Sequence, residues 1–347
     1  MATDYTRVQV GLSLFQQLPS PQSVQYEVRT YNFYICPRSF ASVDERFVCQ
    51  ASSLEFLTRY GFDFNKFIYL GIPSLSRDQE GSLRRDLDHG ALFRALDRNI
   101  PIQDEDGIRE ICGELAAWSS RAREGERQGP RDIGLIVPLV LHTEVRQNFP
   151  TLWSFAEPDG FYVEKVSPAR RKELDSEESS EQLQEQLLDS MLGFTKVFRH
   201  LSQVGLPIVG HNCLLDLLKM FRQFERDLPP SYEEFKRELH RLFPRIFDTK
   251  HICYELKKRL SRGTPHLEKI LASSNLNLLH KLLGDHSNKL HSPRLVVPEG
   301  FSRYAGRYLV QGAVPYCRYE GQSAPHEAGY DALLAGTCFL GLAHMVS

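Results

Sequence analysis

The sequence predicts an α/β fold in which helices cover a sheet, and three observations carry that expectation. Residues 7–36 alternate polar and apolar positions in VQVGLSLF and again in VQYEVRTYNFYI, around the breaker stretch LPSPQS, the pattern of an antiparallel hairpin. From Leu188 onward, helical stretches alternate with a short apolar strand, LPIVG. The chain has 347 residues, enough to bury a core without disulfide or metal staples. In such folds ligands gather at the C-terminal ends of the strands.

After the hairpin, residues 52–60 fit a short helix, and GFDFNKFIYLGIP reads as a packed irregular segment. Its Phe62, Phe64, Phe67 and Tyr69 are expected in the core rather than as platforms for bases. The run RDQEGSLRRDLDH is a solvated helix or loop. Between about 101 and 166 the pattern changes to a helix (DGIREICGELAAW), a polar break (SRAREGERQGPRD), an apolar strand (IGLIVPLVL) and a strand near GFYVEKV. This suggests a small inserted α+β module. The charged stretch ARRKELDSEESSEQLQEQ makes 167–187 a surface linker or the solvated start of a helix. The expected segments are therefore 1–100, the insert 101–166, the linker 167–187 and 188–347. Within the last come a helix over 188–204, strand LPIVG, helices over 213–226 and 231–241, the turn FPRIFDTK, a helix over 251–260 and a final helix from Asp331.

Composition narrows the function classes. Forty-two Lys and Arg against forty-four Asp and Glu give a formal charge of -2, so any RNA contact must come from local clustering rather than a net field. The seven cysteines stand singly with no C-x-x-C pair, which argues against a disulfide framework and a zinc knuckle and fits reduced thiols in a cytosol-facing protein. The start MATDYTRVQV is not a signal peptide, and no window reaches the ~18 apolar residues of a membrane span, so a soluble chain is expected.

Three places could carry chemistry. In LPIVGHNCLLDLLKMF a buried-type strand ends at Gly210-His211-Asn212 and turns into a helix bearing Asp216. The helical stripe is Leu214, Leu217, Leu218 and Phe221, and Asp216 lies opposite it with Lys219, which also suits a plain solvated aspartate. In HEAGYDALLAGTCFLGLAHM, His326 and Asp331 lie five positions apart at a helix start, where they can reach one site or where Asp331 can simply serve the helix terminus. Asp248 in FPRIFDTK reads best as an N-cap, and His211 and Asn212 as groups that satisfy turn backbone.

The segments FVCQASSLEFLTRYGFDFNKFIYLGIP, VGHNCLLDLL, FPRIFDTK and HEAGYDALLAGTCF resemble, in order, successive blocks of the poly(A)-specific ribonuclease family, and within it are most similar to the trimmers of piRNA 3′ ends. The resemblance implies a ribonuclease H-like DEDD exonuclease fold, a mixed sheet flanked by helices, and 3′→5′ hydrolysis of single-stranded RNA. It implies that GHNCLLD supplies the third carboxylate, Asp216, and that HEAGYD supplies the fourth, Asp331, with the histidine His326. Two Mg²⁺ ions about 4 Å apart would clamp the scissile phosphate, with His326 taking the proton of the attacking water. The implied partners are the 3′ end of a single-stranded RNA, an Argonaute-type protein loaded with piRNA, a scaffold and a second copy of the chain. piRNA precursors are expected ahead of poly(A) tails, with a deadenylase and a non-catalytic RNA-binding pseudo-nuclease as alternatives.

Three departures from the family pattern matter. Its Asp-x-Glu on the first strand occurs here only as Asp78-Gln79-Glu80 and Asp175-Ser176-Glu177, both within polar stretches and neither a credible replacement. VQVGLSLFQQ resembles the family's second strand, so the first strand is expected to be missing, as in a shortened form that is inactive alone or an unproductive product that does not fold. The insert lacks the Arg-x-x-x-His of the family's small RNA-binding module; Arg85 and His89 have that spacing but in a solvated run. The chain ends at HMVS, without the C-terminal anchor that would hold a parent protein on the endoplasmic reticulum or mitochondrial outer membrane, and a cytoplasmic location is expected.

Overall fold

The computed structural model describes residues 8–19, 24–40, 43–88, 102–131, 137–157, 160–177, 180–259, 265–273, 275–286, 294–296, 314–315 and 324–346. Two compact units emerge, one from Met1–Pro37, Arg46–Ser76 and Phe194–Ser347, the other from Arg38–Glu45 and Arg77–Gly193. The described elements in chain order are β1 (Gln9–Leu18), β2 (Gln25–Tyr34), α1 (Ala51–Arg59), α2 (Phe64–Leu70), α3 (Arg77–Asp88), α4 (Ile102–Ser119), β3 (Arg127–Arg131), α5 (Val137–Asn148), β4 (Leu152–Glu157), β5 (Gly160–Lys165), α6 (Pro168–Glu177) and α7 (Ser180–Leu192). They continue with α8 (Phe194–Val204), β6 (Ile208–Gly210), α9 (Leu214–Phe224), α10 (Tyr232–Leu242), β7 (Ile246–Asp248), α11 (Thr249–Arg259), α12 (Pro265–Leu271), α13 (Leu276–His286), β8 (Arg294–Val296), β9 (Val314–Pro315) and α14 (Ala328–Val346).

In the first unit the expected hairpin forms, with Leu12 opposite Tyr31 in antiparallel register. β2 is paired on both edges, to β1 on one side and on the other to β8 (parallel) and β9 (antiparallel). Its backbone is thus hydrogen-bonded on both edges, and Val28, Thr30, Asn32, Phe33 and Tyr34 are buried. Val10 and Leu12 of β1 join a phenylalanine-rich core built with Phe33, Ile35, Phe194, Phe198, Leu217, Phe221, Phe224 and Phe235. Three helices enter that core through i, i+4 pairs: Phe194 with Phe198, Leu217 with Phe221, Phe235 with Leu239.

On the other face of the hairpin lies α14, whose small residues let the backbones approach closely. A Cβ added at Gly11 would overlap the Ala328 carbonyl, and one at Gly336 would overlap the Phe15 ring. The same helix packs against β2 and β6. Among the described residues, the edge of β1 away from β2 and the edge of β6 away from β7 carry no ladder partner.

The second unit contains the antiparallel sheet β3-β5-β4. The buried His142 of α5 bonds the buried Ser154 hydroxyl at 2.9 Å and packs edge-on against Phe161. Arg171 ties the unit's backbone, donating to the carbonyls of Phe149, Leu152 and Arg146. The expected insert 101–166 lies inside this wider unit. Residues 167–187, expected as linker or helix start, contribute α6 and most of α7.

Several local expectations change. Part of the apolar run IGLIVPLVL is helical from Val137, with Leu141 and Val145 buried one turn apart, because a short apolar run does not distinguish a buried strand from a buried helix. Residues 132–136 lie outside the described ones. FPRIFDTK is not a plain turn: Ile246–Asp248 pairs parallel with Ile208–Gly210, a three-residue match that only tertiary pairing creates. The polar break contributes β3. Within GFDFNKFIYLGIP, Asp63 caps α2 by accepting from the Lys66 amide at 2.9 Å. Phe67 is buried there, whereas Tyr69 is 74% exposed. Leu214, expected on the apolar stripe, faces outward, and the stripe starts at Leu217.

Candidate active site

Parallel pairing sets Gly210 beside Asp248, so β6 and β7 end side by side and open toward one loop. Gly210 has no room for a side chain, since an added Cβ would lie 2.6 Å from the Cys213 Cβ. Asn212 then takes a left-handed turn (φ 56°), a conformation that asparagine tolerates well. The expected N-cap role of Asp248 is seen: its carboxylate accepts from the Lys250 amide at 2.9 Å and the His251 amide at 3.4 Å of α11. It also accepts from the Asn212 and Cys213 amides, each at 2.9 Å, clipping the loop that leads to Asp216. Burial pushes the Asp248 carboxyl upward, but these amides and the Cys213 thiol outweigh it and hold the group below the usual carboxylate range.

His211 pairs with a side chain at the start of α11. Its Nδ1 lies 2.9 Å from the hydroxyl of the buried Thr249, and that hydroxyl donates to the Gly210 carbonyl at 3.1 Å. With its only proton spent on Gly210, the hydroxyl must accept from His211, so Nδ1 carries a proton.

The second half of the site is the start of α14. Asp331, in its first turn, reaches back to accept from the His326 amide at 3.4 Å, so it does serve the helix start. It is also more than a terminus group. Burial raises its carboxyl above the ordinary value and the Asp216 charge adds to the rise, while His326 and His211 oppose it. Asp331 is thus within electrostatic reach of Asp216, His326 and His211. His326 is itself left-handed (φ 69°), and its ring sits 4.9 Å from Phe56 of α1 and 4.2 Å from Tyr60, the helix's C-cap. α1 has no buried residue, with Phe56 41% and Tyr60 43% exposed.

His211, Thr249, Phe56 and Tyr60 were not singled out for the site in sequence. GHN at a strand end was a local signal for His211, but the aromatic pair had only i, i+4 spacing to show for it. The two stray Asp-x-Glu pairs belong to the second unit. They sit on α3 and α6, where residues two apart point to opposite sides, and Glu80 and Asp175 are taken up by Arg84 and Arg171 at 3.1 and 3.0 Å. Arg85 bonds Ser82, and His89 lies outside the described residues. Cys36, Cys49, Cys112, Cys213, Cys253 and Cys338 are free thiols. Among the described residues no group of three acidic, histidine or cysteine side chains could hold a metal ion, and no helix is long and apolar enough to cross a membrane.

Acidic and imidazole groups at the ends of β6 and β7 and at the start of α14 lie where an α/β fold gathers a ligand site. The chain belongs to the CAF1 family ribonucleases, whose sequence profile matches residues 1–339. It is 33% identical over 346 residues to the human poly(A)-specific ribonuclease PNLDC1, covering 99% of this chain and 61% of the relative. It is 30% identical to the pre-piRNA 3′-exonuclease trimmer of Bombyx mori, covering 97% of this chain and 59% of the relative. Against the poly(A)-specific ribonuclease PARN of Xenopus laevis it is 28% identical, covering 98% of this chain and 53% of the relative. The chain therefore spans between about half and three-fifths of the length of these relatives. The family is of the DEDD type and typically uses divalent metal ions.

Proposed function

We propose that this chain is the nuclease domain of a 3′→5′ exoribonuclease that trims single-stranded RNA, with piRNA precursors as the substrate. The observation that supports it is that Asp331, which accepts from the His326 amide, lies within electrostatic reach of Asp216 from a distant stretch of the chain. Likeness to a pre-piRNA trimmer supports the substrate. The partners proposed with it are an Argonaute-type protein presenting the RNA, a scaffold and a second copy of the chain. The proposed location is the cytoplasm, with a parent protein anchored through a C-terminal segment.

Asp216 and Asp331 would be the protein ligands for Mg²⁺. Their oxygens suit a hard cation, and their mutual repulsion is what a divalent ion would relieve. When bound, the ions would activate water and neutralise the leaving 3′ oxygen. His326 would hold the proton of the attacking water, while Phe56 and Tyr60 offer the terminal base a stacking surface beside it.

Two acids are half of a DEDD set. We propose that a strand carrying Asp-x-Glu completes the site between β1 and β6, whose outer edges carry no ladder partner among the described residues and both of which pack against α14. Within the second unit, residues 101–166 would be the family's inserted module in altered form. A non-catalytic RNA-binding role is the alternative that the test below separates.

The test is 3′-end shortening of a labelled single-stranded RNA with Mg²⁺, comparing this chain with a version extended by the upstream strand. Trimming by the longer version alone, lost on Asp331→Asn, is the expected outcome. Equal trimming by both would mean that ligands other than Asp216 and Asp331 already complete the site here. Trimming by neither would favour the binding-only role, and equal rates on A-tailed and untailed RNA would count against a poly(A) preference.

A further inference from the structure

We propose that Gln9 and Asn32 are positioning residues that set the first turn of α14, and with it His326 and Asp331, against the β1–β2 hairpin. The inference rests on the reading of the site given above. A helix start leaves its first amides without intrahelical acceptors, and the residue before it usually supplies one from its own side chain. Here Glu327 stands in that place and its carboxylate instead accepts from Asn32 Nδ2 at 3.0 Å. The orphan amides are satisfied from the sheet: Gln9 Oε1 accepts from Ala328 at 3.0 Å, and Asn32 Oδ1 accepts from Gly329 at 3.0 Å. Asn32 is fully buried, and its amide serves both partners at once.

The consequence for chemistry comes from what flanks those bonds. His326 lies immediately before the capped turn in a left-handed conformation, and its amide is held by Asp331 within that turn. Close contact of Gly11 with Ala328 lets the hairpin approach near enough for Gln9 to reach. The clamp thus fixes by hydrogen bonds on two strands what a local N-cap would fix only relative to the helix itself.

Amide hydrogen exchange over residues 326–331 tests this in the full chain. Asn32→Leu and Gln9→Met are each expected to accelerate exchange there by tenfold or more. Thr30→Val is the control, since it removes the Ser13 partner (2.8 Å) two residues away on the same buried strand. It should lower the thermal midpoint and leave exchange at 326–331 unchanged. Asn32→Asp combined with Glu327→Gln, which reverses donor and acceptor, should restore protection. The clamp is refuted if Asn32→Leu and Thr30→Val accelerate exchange alike, or if neither clamp variant does.

Paramagnetic broadening of the His326 ring resonance by Mn²⁺ separates the clamp from the site reading beneath it. Broadening in the parent chain that disappears in Asn32→Leu but survives in Thr30→Val supports positioning for function. A protected turn without broadening in the parent chain would overturn the metal-site reading while leaving the clamp standing.

Discussion

At the scale of single residues, two polar groups make stability depend on pH for different reasons. His142 is buried neutral, and burial first, then nearby Arg146, lowers its pKa to about 3 from an ordinary 6.5. Between those values the unfolded chain binds a proton that the folded one refuses, so stability is full above pH 6.5 and falls as pH drops. A thermal-melt series should show this acid-side loss, on the order of a few kcal/mol by pH 4, and His142→Asn should flatten it. Asp248 behaves in the same direction for another reason. Its depressed carboxyl contributes stability above the unfolded pKa that is lost as pH falls through the folded one. Asp248→Ala leaves the Asn212, Cys213 and Lys250 amides without their acceptor. We expect a loss of about 1–3 kcal/mol in chemical denaturation, together with loosening of the loop before Asp216.

At the scale of elements, α1 departs from the rest of the first unit. Most short helices in a domain earn their place through a buried face, yet α1 buries none of its side chains and still presents Phe56 and Tyr60 to His326. Truncating Phe56 or Tyr60 to Ala should therefore shift the thermal midpoint little. Equilibrium binding of a single-stranded RNA 3′ end should weaken by about 1–3 kcal/mol, the usual worth of one stacked base. A large loss of stability with unchanged RNA affinity would mark the pair as packing instead. α9 was legible as an amphipathic helix from its leucines and phenylalanines, but Leu214 and Leu215 point outward at 47% and 60% exposure. Periodicity identifies a stripe; it does not say how far the neighbouring element extends along it.

At the scale of the whole molecule, the separation in sequence between Asp216 and Asp331 is closed by α14 lying across β1, β2 and β6. Asp216→Asn should remove the repulsion on Asp331, so in the absence of divalent ions this variant should unfold at a temperature equal to or above that of the parent chain. Added Mg²⁺ should stabilise the parent chain and leave the variant unmoved, as differential scanning fluorimetry would read.

The hairpin, the alternation of helices with a short apolar strand and the N-cap at Asp248 were legible in the sequence, because each is written in local periodicity or in a motif. What only the tertiary structure decided depends on partners far along the chain. Ile246–Asp248 became a strand because Ile208–Gly210 lies beside it. The proton on His211 was assigned by Thr249, and Tyr69 was left exposed while Phe67 was buried. The cap of α14 came from Gln9 and Asn32, more than 290 residues upstream of the amides they hold. A side chain's local pattern states which face it can present, whereas hydrogen bonds and burial across such separations exist only once the chain has closed on itself.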